Sequence, residues 1–153
     1  MRLRLIRHLV FLLILANGTP LLVNKILGNR FSRPLDCGVR SVDGQPWFGA
    51  SKTIRGVFLS VLATAVGASL VGLRCKIGAL IGSAAMSGDL FSSFLKRRMR
   101  LPASDGVVGL DEVPESLFPL LACRSTLSLT VPDIAVCVLA FFLCNRIIGI
   151  CGR

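Results

Sequence analysis

The chain has 153 residues, of which 53% are hydrophobic and 17% charged, with a mean hydropathy of +0.72. Soluble domains carry about 25% charged residues, so a water-soluble globule is disfavoured, and the same apolar content excludes disorder. Lys and Arg number 18 against eight acids, a formal charge of +10. These charges fall between apolar runs, which points to anionic lipid or phosphate-bearing ligands rather than nucleic acid.

A membrane-crossing helix needs about 20 mostly apolar residues. Leu5 to Val23 supplies the first, interrupted by Asn17-Gly18-Thr19-Pro20. Its Arg-rich start resembles a secretory signal, but Ala16-Asn17-Gly18 is a poor cleavage site, so the segment reads as a retained helix. Ile54 to Leu73 supplies the second, and Ile77 to Leu95 the third, with one acid, Asp89. Val113 to Val131 is a weaker fourth, broken by Pro114, Pro119 and Arg124, and Ile134 to Ile150 is the fifth, with Arg146 near its end. The second helix carries Gly56, Ser60, Ala63 and Gly67 at helical spacing, and the third carries Gly78, Gly82 and Ala85. Such small-residue faces let membrane helices approach closely. The expected fold is an all-α integral membrane protein: one domain over residues 1–153, a bundle of about five transmembrane helices around a polar cavity on the cytoplasmic side.

Orientation follows from the basic residues. Five spans put Lys25, Arg30, Arg33, Arg40, Lys52, Arg55, Lys96, Arg97, Arg98, Arg100, Arg146 and Arg153 on one side. Only Arg2, Arg4, Arg7, Arg74, Lys76 and Arg124 lie on the other. The positive-inside rule makes the 24–53 and 96–112 loops cytoplasmic and the N-terminus external, in a multi-pass protein of the cell membrane. The six cysteines contain no CxxC and the only histidine is His8, so a His/Cys zinc site lacks ligands. Cys137, Cys144 and Cys151 share a helical stripe and read as small packing residues.

Asp89 is the most informative residue, because an ionisable group inside a span is costly unless it faces a polar cavity or a partner. Asp89, Ser92, Ser93 and Lys96 are spaced i, i+3, i+4, i+7, which builds one polar face. Lys96-Arg97-Arg98 and Arg100 alone would be an ordinary flank, as would Lys52 and Arg55. Convergence changes that reading: basic groups from two loops share a membrane face with Asp89, Asp111, Glu112 and Glu115. Carboxylates hold Mg²⁺, and Lys or Arg neutralise phosphate oxygens. These are the components of phosphoryl or nucleotidyl transfer. The chain has no GxxxxGK[ST], GxSxG or HExxH motif.

Ala16-Asn17-Gly18-Thr19-Pro20, Pro34-Leu35-Asp36-Cys37-Gly38, Asp43-Gly44 and Phe48-Gly49-Ala50-Ser51-Lys52-Thr53-Ile54-Arg55-Gly56 stand in order. Ser87-Gly88-Asp89-Leu90, Ser93-Phe94-Leu95-Lys96-Arg97-Arg98 and Leu110-Asp111 follow. Across residues 16 to 122 this series resembles the CDP-archaeol synthase family, small membrane enzymes similar to the larger phosphatidate cytidylyltransferases. The larger enzymes' His-Gly-Gly stretch is missing, which assigns the resemblance to the small branch. It implies that CTP and a lipid phosphate give a CDP-lipid and pyrophosphate, for phospholipid biosynthesis, with Mg²⁺ as cofactor. Where the family commonly shows a second Asp three residues after the one matching Asp111, Pro114 stands, followed by Glu115. Glu112 or Glu115 is then the second carboxylate.

On this reading Asp89 and Asp111, with Glu112 or Glu115, hold the metal. Lys52, Arg55, Lys96 and Arg97 neutralise the triphosphate, Ser51, Ser93 and Asn17 contact CTP or the lipid phosphate, and Asp36 and Asp43 are second-tier candidates. Trp47 and Phe48 are expected to anchor their loop at the interface rather than to stack on cytosine. The expected partners are CTP, the lipid phosphate and the bilayer, with a homodimer left open. The competing expectation is a non-catalytic membrane protein, an assembly factor or small transporter, with a degenerate site.

Overall fold

The structure is a computed structural model that describes residues 2–28, 33–36, 39, 44, 46–49, 51–101 and 109–151, with side chains to 147. The described residues form five helices: α1 (Leu3–Leu27), α2 (Ile54–Leu70), α3 (Cys75–Arg98), α4 (Glu112–Ala122) and α5 (Val131–Cys151). No strand occurs among the described residues, and Pro34 and Thr53 form an isolated antiparallel bridge. Successive helices reverse direction, so α1, α3 and α5 ascend together while α2 and α4 descend between them. By length and composition α1 and α3 can cross a membrane, and α2 is a shorter apolar helix.

The expected interruption of α1 does not occur, and the reason is local. Pro20 lacks an N–H, so the carbonyl of Ala16, four residues back, loses its helical donor. Ser60 Oγ of α2 donates to that carbonyl at 2.5 Å. Asn17 Nδ2 and Thr19 Oγ1 donate to the carbonyls of Leu13 and Leu15. The polar residues that look like a break in the sequence thus satisfy the helix backbone, or are matched by a neighbour that does.

The small-residue faces expected for the second and third helices are the packing surfaces. A Cβ at Gly78 would run into Thr64, Ala65 and Ala68 of α2, and one at Gly82 into Val61 and Thr64. Gly56, Ser60, Thr64, Gly67 and Ala68 are the buried residues of α2. Thr64 therefore takes the place on this face expected for Ala63, which is only half-buried. Apolar burial concentrates away from the polar end: Leu9, Leu12 and Leu13 of α1 pack with Ile81, Leu120, Cys137 and Phe141. Cys123 and Cys137 are buried free thiols, as packing residues should be.

The fourth element is shorter than expected. Regular helix ends at Ala122 instead of reaching Val131, giving about 16 Å of rise, half a bilayer core. Ser125, Thr126 and Ser128 follow, residue types whose side chains can compete for backbone groups and so disfavour a helix interior. Ser128 adopts φ 50°, which ends any helix there. The coil of turns over 123–130 continues the descent, because Arg2 Nη1 at the start of α1 donates to Leu127 O. Asp133 then helps start α5, its Oδ2 accepting from both the Thr130 amide and the Thr130 hydroxyl.

Candidate active site

The polar ends of α1, α2, α3 and α4 meet around a cavity of about 370 Å³. Asn17, Ser51, Lys52, Asp89, Ser93, Lys96, Arg97, Asp111, Glu112 and Glu115 all line it. Ten of the eleven residues expected at the site are therefore brought together. The eleventh is Arg55, which is not part of the lining. Its guanidinium donates to Asn24 Oδ1 at 3.0 Å and to the Gly28 carbonyl at 3.2 Å, so it clamps the C-terminal end of α1 to the start of α2. A cation there opposes the negative end of the α1 dipole, a position it reaches because α2 begins beside the α1 C-terminus.

Lys52 precedes α2, and its backbone is held from both sides. The amide of Leu35 donates to the Lys52 carbonyl and the Lys52 amide donates to Gly49 O. Thr53 caps the helix, its Oγ1 accepting from the Gly56 amide at 3.1 Å. Asp36 accepts from the amides of Phe48 and Gly49, which gives this second-tier acid a role in shaping the loop. Asp43 lies outside the described residues. With the backbone fixed, the Lys52 side chain reaches across to α3 and its Nζ meets Asp89 Oδ1 at 2.5 Å.

Asp89 stands beside a very close helix contact. A Cβ on Gly88 would collide with the backbone of Pro114 and Glu115, so only glycine allows α3 to approach the first turn of α4 this closely. Pro114 is the departure noted in the sequence, and it fits: it occupies the first turn, where no N–H is needed. The approach brings Glu115 within hydrogen-bonding reach of Asp89 and within Coulombic reach of Lys52 and Asp111. Glu115 is 8% exposed. Asp111 stands just before α4 without capping it, because its Oδ2 is taken by Lys96 Nζ at 2.5 Å. Glu112 accepts from the Gly109 amide and so helps start the helix.

Of the face predicted on α3, Asp89, Ser93 and Lys96 look into the cavity, whereas Ser92 is buried and bonds the Asp89 carbonyl of its own helix. Arg97 packs against Gly49: at φ 91° a Cβ there would lie 2.7 Å from Arg97 Nη2. Arg98 stacks 5.1 Å from the Phe94 ring centre and donates to Pro46 O, fastening the loop. Trp47 packs on Phe94, in keeping with an anchoring role, but Phe48 turns into the cavity. Asn145 of α5 also lines the cavity, a residue the sequence reading did not single out. The applicable signal was an amide in an otherwise apolar span.

The chemistry available is defined by two partly buried ion pairs facing one space. Lysines at Lys52 and Lys96 can bind phosphate oxygens as soon as their carboxylates find another cation. Asp89 and Glu115, two carboxyls in contact, are suited to share a divalent ion of the hard, oxygen-seeking kind. Among the described residues, no three His, Cys, Asp or Glu side chains form a complete metal cage.

The fold and the site define a helical membrane protein with its carboxylates and lysines gathered around one polar cavity. No protein-family model matches the sequence. Individual relatives do: a CDP-archaeol synthase of Thermococcus onnurineus is 36% identical over 64% of this chain and 61% of its own length. That of Pyrobaculum calidifontis is 33% identical over 80% of this chain and 78% of its own. A solved intramembrane enzyme of archaeal membrane lipid biosynthesis superposes with a TM-score of 0.80 at 26% identity, covering 94% of this chain and 91% of that one. The chain belongs to the CDP-archaeol synthase family. It spans about three fifths of the Thermococcus relative's length.

Proposed function

We propose that this chain is a CTP-dependent cytidylyltransferase that converts a lipid phosphate into a CDP-lipid and pyrophosphate in membrane lipid biosynthesis. The observation that carries the reading is the pairing of Lys52 with Asp89 and of Lys96 with Asp111 on one cavity. An oxygen of the lipid phosphate attacks the α-phosphorus of CTP, the bond from that phosphorus to the bridging oxygen breaks, and pyrophosphate leaves with the electron pair. The attacking oxygen is already ionised near neutral pH, so no general base is required. Lys52, Lys96 and Arg97 hold the phosphates and offset the charge that builds on the leaving group. Asp89 and Glu115 would hold Mg²⁺, with Asp111 beside them, and a bound cation there supplies further charge neutralisation. Between the two acids left open by the sequence, Glu115 is favoured because it reaches Asp89, while Glu112 is engaged with Gly109.

The cavity mouth faces the cytoplasm in this reading, as the twelve basic residues on that side against six on the other require. The bilayer delivers the lipid phosphate and the aqueous side delivers CTP. The test is incubation of the purified chain with labelled CTP, Mg²⁺ and ether- or ester-linked lipid phosphates. A labelled CDP-lipid is the expected product. Tight CTP binding with no product from any lipid phosphate would favour a degenerate, non-catalytic site.

A further inference from the structure

Three helices each bring a polar side chain to the cavity. Asn17, Asp89 and Asn145 each lie fourteen residues after the first residue of α1, α3 and α5, about 21 Å along the helix. All three line the cavity. Asp89 has Lys52, but the two amides have no such partner. Asn17 Nδ2 donates to the Leu13 carbonyl at 3.0 Å, and since a carbonyl only accepts, this contact fixes which way the amide faces. Its Oδ1 is left buried with no hydrogen-bond partner. Among the described residues, no protein group hydrogen-bonds the Asn145 side chain. An acceptor buried without a donor is unfavourable, and so is a lone amide in an apolar helix.

A ligand that completes this layer must bring a donor to Asn17. Under the cytidylyltransferase reading, on which this inference rests, two substrates meet in the cavity. A two-chain lipid phosphate offers ether or ester oxygens, which only accept, and its phosphate belongs with the lysines. The nucleoside carries donors: the amino group of cytosine and the ribose hydroxyls. Ile14, Val57 and Met86 supply apolar walls of the kind a base occupies. We propose that Asn17 and Asn145 read the nucleoside of CTP. Asn17 Oδ1 accepts from the cytosine amine or the ribose 2′-hydroxyl, and the Asn145 amide, free to turn, donates to a neighbouring acceptor of the same ligand.

The experiment measures equilibrium binding of CTP, UTP and 2′-deoxy-CTP to the full chain in detergent, for wild type, Asn17→Ala and Asn145→Ala. UTP lacks the amine and deoxy-CTP lacks the 2′-hydroxyl, so the two analogues separate the donors. Asn17→Ala is expected to weaken CTP about tenfold and to leave unchanged the analogue that lacks the matching donor, so one ratio falls about tenfold. Asn145→Ala keeps the Asn17–Leu13 bond, so it tests the layer even where Asn17→Ala folds poorly, and it should weaken CTP too. Folded variants that bind all three nucleotides with wild-type affinities overturn the inference. So does a change confined to KM for the lipid phosphate. A wild-type chain that binds no nucleotide overturns the functional reading, and the nucleoside assignment with it.

Discussion

Asp89 is where a structural ion pair and a catalytic carboxylate make opposite predictions, and one pair of variants separates them. The Lys52–Asp89 pair is 2.5 Å long, with side-chain exposures of 24% and 17%. Exposed pairs contribute up to about 1 kcal/mol, and breaking fully buried pairs costs about 3–5 kcal/mol. This site is intermediate, and Glu115 remains near Lys52 to share its charge. Asp89→Asn should therefore destabilise the metal-free chain by about 1–3 kcal/mol, read from denaturant unfolding in detergent. Turnover should fall about 100-fold or more, the scale seen when a group that stabilises developing charge is removed. The charge-swapped double variant Lys52→Asp with Asp89→Lys should regain much of the stability, since the pair is restored. It should not regain turnover, because the acid has left Glu115 and the cation has left the phosphates. If the swap restores CDP-lipid synthesis along with stability, or if well-folded Asp89→Asn turns over normally, Asp89 has no chemical role.

Three further outcomes follow from the same geometry. Ser60→Ala should cost about 1–3 kcal/mol, because it strands the Ala16 carbonyl, but little in a Pro20→Ala background, where residue 20 again supplies the helical N–H; equal costs in the two backgrounds would refute the pairing. Gly88→Val should force α3 from α4 and lower both the unfolding free energy, by about 1–3 kcal/mol, and turnover, whereas an unchanged chain would show that the Pro114 contact is loose. Cys75, exposed in the first turn of α3 at the end opposite the cavity, should react with an impermeant maleimide added outside intact cells in a variant lacking the other cysteines. Labelling only after permeabilisation would reverse the orientation.

The sequence made some of this site visible because membrane burial makes polar groups conspicuous. Asp89 stood out as the one acid of its span, and Lys96 fell on its face by helical spacing alone. The partners were not legible in the same way. Lys52 and Asp89 are 37 residues apart, and nothing local in either segment says that the loop backbone, pinned at Leu35 and Gly49, aims one at the other. Long-range matching also misled the reading of α1, where Pro20 looks like a break until Ser60, forty residues later, supplies the missing donor. In α4 the error ran the other way: the apolar content of 113–131 promised a span, but the helix gives way after Ala122 to backbone turns that include Ser128 at φ 50°.

Arg55 and Asn145 fail for complementary reasons, and the contrast shows what spacing can carry. Arg55 sits three residues from Lys52 beside the same helix start, so sequence proximity assigns it to the phosphates. Its long side chain instead reaches Asn24 Oδ1 and the Gly28 carbonyl at the end of α1, a site whose position depends on how the two helices pack. Asn145 is neutral, so it does not stand out in a search for charge, and it sits beside Arg146, which does. Yet the same physical rule that marks Asp89 applies to it: a group that cannot be satisfied by lipid must face a partner or a cavity. It shares the cavity with Asn17 and Asp89 only through the packing of α5 against α1 and α4, a relation that becomes visible once the helices are assembled.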